Sequence, residues 1–199
     1  MPERSQSSDA DPSLGLRAVL LVEGASDQRA LTLLARRHNR DLLRADAVAV
    51  VAMGGATNIG RFLARYGPQG RNIRIGGLYD VAEEAAIRRA CASAGIGRPR
   101  TRADLEDLRF FACVTDLEDE LIRSLGAASV EQVIDAEGEL GLFRTFQHQP
   151  AQRHKSVEQQ LRRFLGTRSG RKIHYAGLLV EALDLARVPP PLYYALFSV

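Results

Sequence analysis

Acidic residues follow three of the chain's apolar runs closely enough to share a site. Glu23 comes directly after Ala18-Val19-Leu20-Leu21-Val22, and Asp27 lies one helical turn further on. Asp80 closes Ile73-Arg74-Ile75-Gly76-Gly77-Leu78-Tyr79 and is followed by Glu83 and Glu84. Asp116 follows Phe110-Phe111-Ala112-Cys113-Val114-Thr115, with Glu118, Asp119 and Glu120 behind it. Carboxylates gathered at one edge of a fold repel one another and raise each other's pKa. A hard divalent cation removes that conflict, and Mg²⁺ or Mn²⁺ prefers an all-oxygen ligand set. One acid at one helix start would reflect only the helix dipole. Acids at three strand ends point instead to a shared metal site.

The elements that must position these acids can be read from the same stretches. The three apolar runs above, together with Ala47-Val48-Ala49-Val50-Val51-Ala52-Met53, read as four buried strands. Each is followed by helix-spaced residues: Ala30, Leu31, Leu33 and Leu34; Ile59, Phe62 and Leu63; a helix over roughly 82–94 with Ala85, Ala86, Ile87 and Ala90; and a helix starting at Asp116. Ser26 is expected to cap the first helix. Arg98-Pro99-Arg100-Thr101-Arg102 reads as an exposed loop. Strands alternating with helices predict a mainly parallel sheet with crossover helices on its faces. In such a sheet a ligand lies outside the carboxyl ends of the strands, where the acids fall. The second run ends instead in Gly54-Gly55, then Thr57 and Asn58, where backbone could approach a phosphate.

After about residue 126 only helical spacing remains: Val130, Val133 and Ile134; Leu161, Phe164 and Leu165; Leu178, Leu179 and Leu183. The expected organisation is a leader over 1–15, an α/β core over 16–126 and a helical C-terminal extension over 127–199. The end, Pro189-Pro190-Pro191 followed by Leu192-Tyr193-Tyr194-Ala195-Leu196-Phe197, is a stiff bend with an apolar tip. That tip is suited either to packing back on the core or to docking on a partner.

Charge is unevenly distributed, although the net value is only +3. Residues 103–139 hold eleven acids and two bases, and residues 144–174 hold eight bases and one acid. An acidic block beside a basic one suits a metal site next to a phosphate-binding surface. Two cysteines, Cys91 and Cys113, exclude a disulfide scaffold and a cysteine-rich zinc module. Both fall among apolar or small residues and are expected in the core. His38, His148, His154 and His174 lack ligand spacing, which argues against zinc. No apolar run reaches the ~20 residues a membrane helix needs, and no secretory signal pattern is present. A cytoplasmic setting follows as the expectation. With aromatics at 6% and no Trp, arginine contact to a DNA backbone fits better than base stacking.

Leu21-Val22-Glu23-Gly24-Ala25-Ser26-Asp27, Gly77-Leu78-Tyr79-Asp80 and Asp116-Leu117-Glu118 together resemble the motifs of a TOPRIM domain. The most similar branch is that of the overcoming-lysogenization-defect (OLD) family nucleases, over roughly 17–125, with a weaker echo to about 185. The resemblance implies a compact Rossmann-like core and divalent-metal phosphodiester chemistry. It implies Glu23 as metal ligand or acid/base, and Asp27, Asp80, Asp116 and Glu118 as further ligands. The family's third strand ends in Asp-x-Asp, whereas Asp80 is followed here by Val81-Ala82, so Glu83 or Glu84 is expected to take the second position. OLD-type nucleases also place an essential lysine in their helical tail. Among 25 arginines and two lysines, Lys172 in Gly170-Arg171-Lys172-Ile173-His174-Tyr175 resembles it. A lysine there acts as a point charge on a transition-state phosphate.

The chain has no Gly-x-x-x-x-Gly-Lys-Ser/Thr segment and so no ATP-binding P-loop. The resemblance then implies either a stand-alone TOPRIM protein or an ATPase carried by another polypeptide; a homo-oligomer is left open. The expected function is a Mg²⁺- or Mn²⁺-dependent DNA nuclease. Glu23 and Lys172 would carry the chemistry, with Glu23, Asp27, Asp80, Glu84, Asp116 and Glu118 at the metal. Arg162, Arg163, Arg168 and Arg171 would guide the DNA backbone. The alternatives are a TOPRIM nucleotidyl transferase and a degenerate, non-catalytic TOPRIM module.

Overall fold

The structure, a computed structural model, describes residues 15–167 and 170–199. Four strands form one parallel sheet: β1 (Ala18–Val22), β2 (Val48–Ala52), β3 (Arg74–Asp80) and β4 (Phe110–Cys113), in the order β2-β1-β3-β4. Every pairing is parallel, so all four carboxyl ends lie along one edge. The register pairs Leu21 of β1 with Gly77 of β3, and Asp80 of β3 with Cys113 of β4. Gly77 is required by that pairing. A Cβ there would stand 2.5 Å from the Leu21 carbonyl oxygen and 3.2 Å from the Phe110 ring.

The connections are α1 (Ala25–Arg37), α2 (Ile59–Tyr66), α3 (Glu84–Ser93) and α4 (Arg102–Asp107). After β4 the chain is helical: α5 (Leu117–Leu125), α6 (Ala127–Ala136), α7 (Leu140–Gln147), α8 (Val157–Leu165), α9 (Arg171–Ala182) and α10 (Pro190–Phe197). Strand residues alternate between the two faces of the sheet. Leu20 and Val22 of β1 enter a large apolar core with Leu31 and Leu34 of α1, Leu121 of α5, Phe143 of α7, Phe164 of α8 and Leu179 of α9. Val19 and Leu21 enter a second, smaller core with Ile59 and Leu63 of α2, Ile87 of α3 and Leu105 of α4. The helical extension therefore shares one core with α1 and one face of the sheet, while α2, α3 and α4 cover the other face. Each large side chain withdrawn from water contributes about 1.5–3 kcal/mol, so both layers hold the strand ends in place.

Several sequence expectations change in detail. Ser26 does not cap α1. The helix starts a residue earlier with Gly24 in extended backbone, and the Asp27 carboxylate accepts the Gly24 N–H at 2.8 Å. The exposed loop ends sooner than expected, because Thr101 caps α4 and accepts the Asp104 N–H. The apolar tip packs back, with Leu192, Ala195 and Leu196 buried in the larger core. Cys91 and Cys113 are both buried and free. No helix among the described residues is long and apolar enough to cross a membrane. Residues 1–14 of the expected leader lie outside the described residues.

Candidate metal centre

At the carboxyl edge of the sheet a cleft of about 230 Å³ is lined by Glu23, Asp27, Asp80, Asp116 and Lys172, together with Ile173 and the start of α1. The local chain path explains each position. Glu23 is the first residue past β1, and Asp27 is turned back toward it by its bond to the Gly24 N–H. Asp80 is the last residue of β3. Asp116 caps α5, its Oδ1 accepting the Asp119 N–H at 2.9 Å. Glu120, buried in the same turn, accepts the Val114 N–H at 2.8 Å and fixes the β4–α5 connection.

Crowding of these acids shows in their titration. Burial, and then the nearby charges of Glu23, Asp116 and Asp27, push the Asp80 carboxyl up to about 7. Burial also raises Asp27, against the opposing Gly24 N–H bond and the Lys172 charge. Glu118, one residue into α5 beyond the helix start, is only 2% exposed, and burial pushes it to about 7. Its one partner of opposite charge among the described residues is Lys172, whose Nζ lies 3.0 Å from Oε2. Oε1 of Glu118 is buried with no hydrogen-bond partner. Burial works against the Lys172 ammonium, but Glu118, Asp27 and Asp116 outweigh it and raise its pKa.

These residues suit a hard divalent cation in their donor chemistry. The carboxylates are all oxygen donors, they repel one another, and Glu118 holds a buried oxygen, Oε1, with no hydrogen bond. Among the described residues, no three His, Cys, Asp or Glu side chains are grouped closely enough to hold a metal ion as they stand. Asp116 is the most committed of the set, because its Oδ2 accepts from Arg162 Nε at 2.7 Å while Oδ1 caps the helix. Glu23, Asp27 and Asp80 are the acids that would hold a cation here, whereas Glu118 lines the neighbouring cleft and is paired with Lys172.

The structure does not bring every expected residue here. Glu84 is drawn away from the cleft, because the turn Val81–Glu83 carries it toward α4 and it meets Arg102 at 3.2 Å and Arg88 at 3.9 Å. Neither Ala82, which is exposed, nor Glu84 supplies a second acid beside Asp80. Gly54 and Gly55 have positive φ, but both of their N–H groups are donated to the Glu23 carbonyl oxygen, so they are not open to a phosphate. Arg162 and Arg163 line a neighbouring cleft with Asp116, Glu118, Thr167 and Lys172. Arg168 lies outside the described residues.

Arg171 is not a surface arginine. It is 8% exposed, pairs with Glu139 at 2.7 Å, donates to Thr167 Oγ1 at 2.8 Å and lies over the Phe164 ring. Tyr175 donates to the other Glu139 oxygen at 2.8 Å, and His174 meets Glu137 at 2.6 Å. Residues 171, 174 and 175 share one face of α9 and tie its first turn to Glu137 and Glu139, between α6 and α7. Lys172 is left facing the acids. Removing Glu139 would leave the buried Arg171 guanidinium without its charge partner, which is destabilising. The network was not visible in the sequence, where Arg171 is one of a run of bases.

A parallel sheet with carboxylates from three strand ends at its open edge, faced by a lysine, defines a TOPRIM-like α/β protein. The comparisons agree. Residues 16–75 match the family described as overcoming lysogenization defect protein-like, TOPRIM domain. The C-terminal region of the Xanthomonas campestris pv. campestris OLD protein superposes with a TM-score of 0.68 at 24% identity, over 93% of this chain and 92% of that one. The C-terminal region of the Burkholderia pseudomallei OLD protein gives 0.65 at 20% identity, over 91% and 95%. No curated protein sequence matches. The chain thus resembles the OLD-like TOPRIM family over residues 16–75, and its fold is similar to that of the C-terminal regions of OLD proteins over about nine-tenths of its length.

Proposed function

We propose that the chain is a Mg²⁺- or Mn²⁺-dependent nuclease that hydrolyses DNA phosphodiesters at the strand-end cleft. One observation carries this: carboxylates from the ends of β1 and β3 and from the start of α5 line the same cleft as Lys172. When bound, the cation supplies Lewis-acid polarisation of the phosphate and a lowered pKa for attacking water. Glu23, Asp27 and Asp80 hold that charge in place. Lys172 offers an ammonium at the cleft mouth, where negative charge grows on the phosphate. Arg162 is oriented by Asp116, and Arg162 and Arg163 extend the positive surface toward DNA backbone.

A non-catalytic TOPRIM module is favoured by the engagement of both Asp116 oxygens and by Ala82 in place of a second aspartate. Incubation of the purified chain with supercoiled DNA decides between the two. Nicked circles are expected with Mn²⁺ or Mg²⁺ and none with EDTA. Identical, uncut DNA in all three conditions would overturn the nuclease reading.

A further inference from the structure

We infer a second DNA-backbone contact, formed by Arg61 and Arg65 of α2, on the face of the sheet opposite α8; this rests on the nuclease reading above. From Ala47 to Tyr79 the chain has no acid and four arginines, Arg61, Arg65, Arg71 and Arg74. Arg61 and Arg65 are both exposed and, four residues apart, lie on one face of α2. Neither has a carboxylate partner among the described residues, whereas Arg88, Arg102, Arg123, Arg144, Arg162 and Arg171 all do.

Rings beneath them hold the two guanidiniums. Arg61 lies over Phe62 with its guanidinium carbon 5.0 Å from the ring centre, and Arg65 over Tyr66 at 5.3 Å. Phe62 and Tyr66 are themselves stacked at 6.5 Å. A cation placed on a ring face keeps its N–H edge free for phosphate oxygens and has less freedom to lose on binding. Among the described residues no hydrogen bond or ion pair takes up these edges.

The position of α2 gives the contact its meaning. The turn leading into it starts at Gly54 and Gly55, which are bonded to the Glu23 carbonyl, and Asn58 braces it by donating to the Met53 and Gly54 carbonyls. Arg61 follows within one helical turn of Asn58. Ile59 and Leu63 seat α2 on the face of the sheet away from Leu161 and Phe164 of α8. A DNA strand crossing the carboxyl edge thus meets Arg162 and Arg163 on one side of the acids and Arg61, in the first turn of α2, on the other, with Arg65 one turn further along that face. Positive charge on both flanks offsets the repulsion between phosphates and the acidic cleft.

The test is fluorescence anisotropy of a labelled 30-base-pair duplex titrated with the full chain in Ca²⁺, across a series of salt concentrations. Arg61→Ala/Arg65→Ala is expected to weaken binding about tenfold at low salt and to reduce the slope of log affinity against log salt by about two. The melting temperature should stay at the wild-type value, since both side chains are exposed. Arg187→Ala, an exposed arginine in the turn Leu185–Arg187 between α9 and α10, serves as the control and should change neither quantity. If wild type binds and the double variant keeps its slope, or if Arg187→Ala has an equal effect, the α2 contact is overturned and the nuclease reading stands. If wild type binds no DNA at all, it is the nuclease reading that is overturned.

Discussion

Replacing Lys172 by Met or by Arg is expected to cut the rate of DNA nicking by about 100-fold or more, the usual scale for losing one electrostatic stabiliser. The Met variant loses the charge. The Arg variant keeps it but presents a planar fork in place of a compact ammonium. The two variants separate catalysis from structure, because Lys172 is also the 3.0 Å partner of the buried Glu118. Lys172→Met leaves that carboxylate without a compensating charge, so the metal-free melting temperature should fall. Lys172→Arg should leave it nearly unchanged. DNA affinity should move little in either, because Arg162 and Arg163 remain. A Lys172→Arg protein with full nicking activity would show that any cation suffices and that the ammonium has no special contact with the phosphate.

Asp80 gives the second large effect, and its direction depends on pH. In the folded chain its carboxyl titrates at about 7 against an unfolded value of 3.8. The folded state therefore holds this proton more tightly, and its stability declines as pH rises from about 4 to 7 and stays low above that. A shift of this size corresponds to roughly 4 kcal/mol at most; partial exposure and salt screening reduce that to about 1–2 kcal/mol. Asp80→Asn removes the penalty. In EDTA it should melt above wild type by about 3–6 °C at pH 8, with a clearly smaller gain at pH 5. Equal differences at both pH values would mean that Asp80 is not strained by Glu23, Asp27 and Asp116.

What could be read from the sequence was local. An apolar run closed by an acid places Glu23, Asp80 and Asp116 at strand ends, because period and polarity change within one or two residues. Parallel pairing then brings those ends to one edge. Side-chain partners distant in the chain could not be read this way. Arg162 and Asp116 are 46 positions apart, and Arg171 and Glu139 are 32 apart. In a chain with 25 arginines, nothing local separates one that is buried from one that is exposed. Glu84 was misplaced for a related reason: its position in the first turn after β3 suggested the cleft, while its charge partner Arg102 lies on another helix. The α4 helix was obscured by the arginines around it, although Thr101-x-x-Asp104 is a capping box in plain view. The acid-free stretch from Ala47 to Tyr79 was equally readable and is the signal that singles out α2.

The central claim is that the strand-end carboxylates share one divalent cation, and a calorimetric titration of Mn²⁺ into the metal-free full chain tests it most directly. Wild type should bind Mn²⁺ with protons released at pH 6.5, because Asp80 is partly protonated there and must ionise to act as a ligand. Saturation should raise the melting temperature, since a ligand at about 100 times its dissociation constant adds roughly 2.7 kcal/mol. Glu23→Gln and Asp80→Asn should each weaken the binding at least tenfold, the scale on which disturbing a metal's environment acts. Wild-type protein that takes up no Mn²⁺, or Glu23→Gln and Asp80→Asn variants that bind it as tightly as wild type, would contradict the shared site.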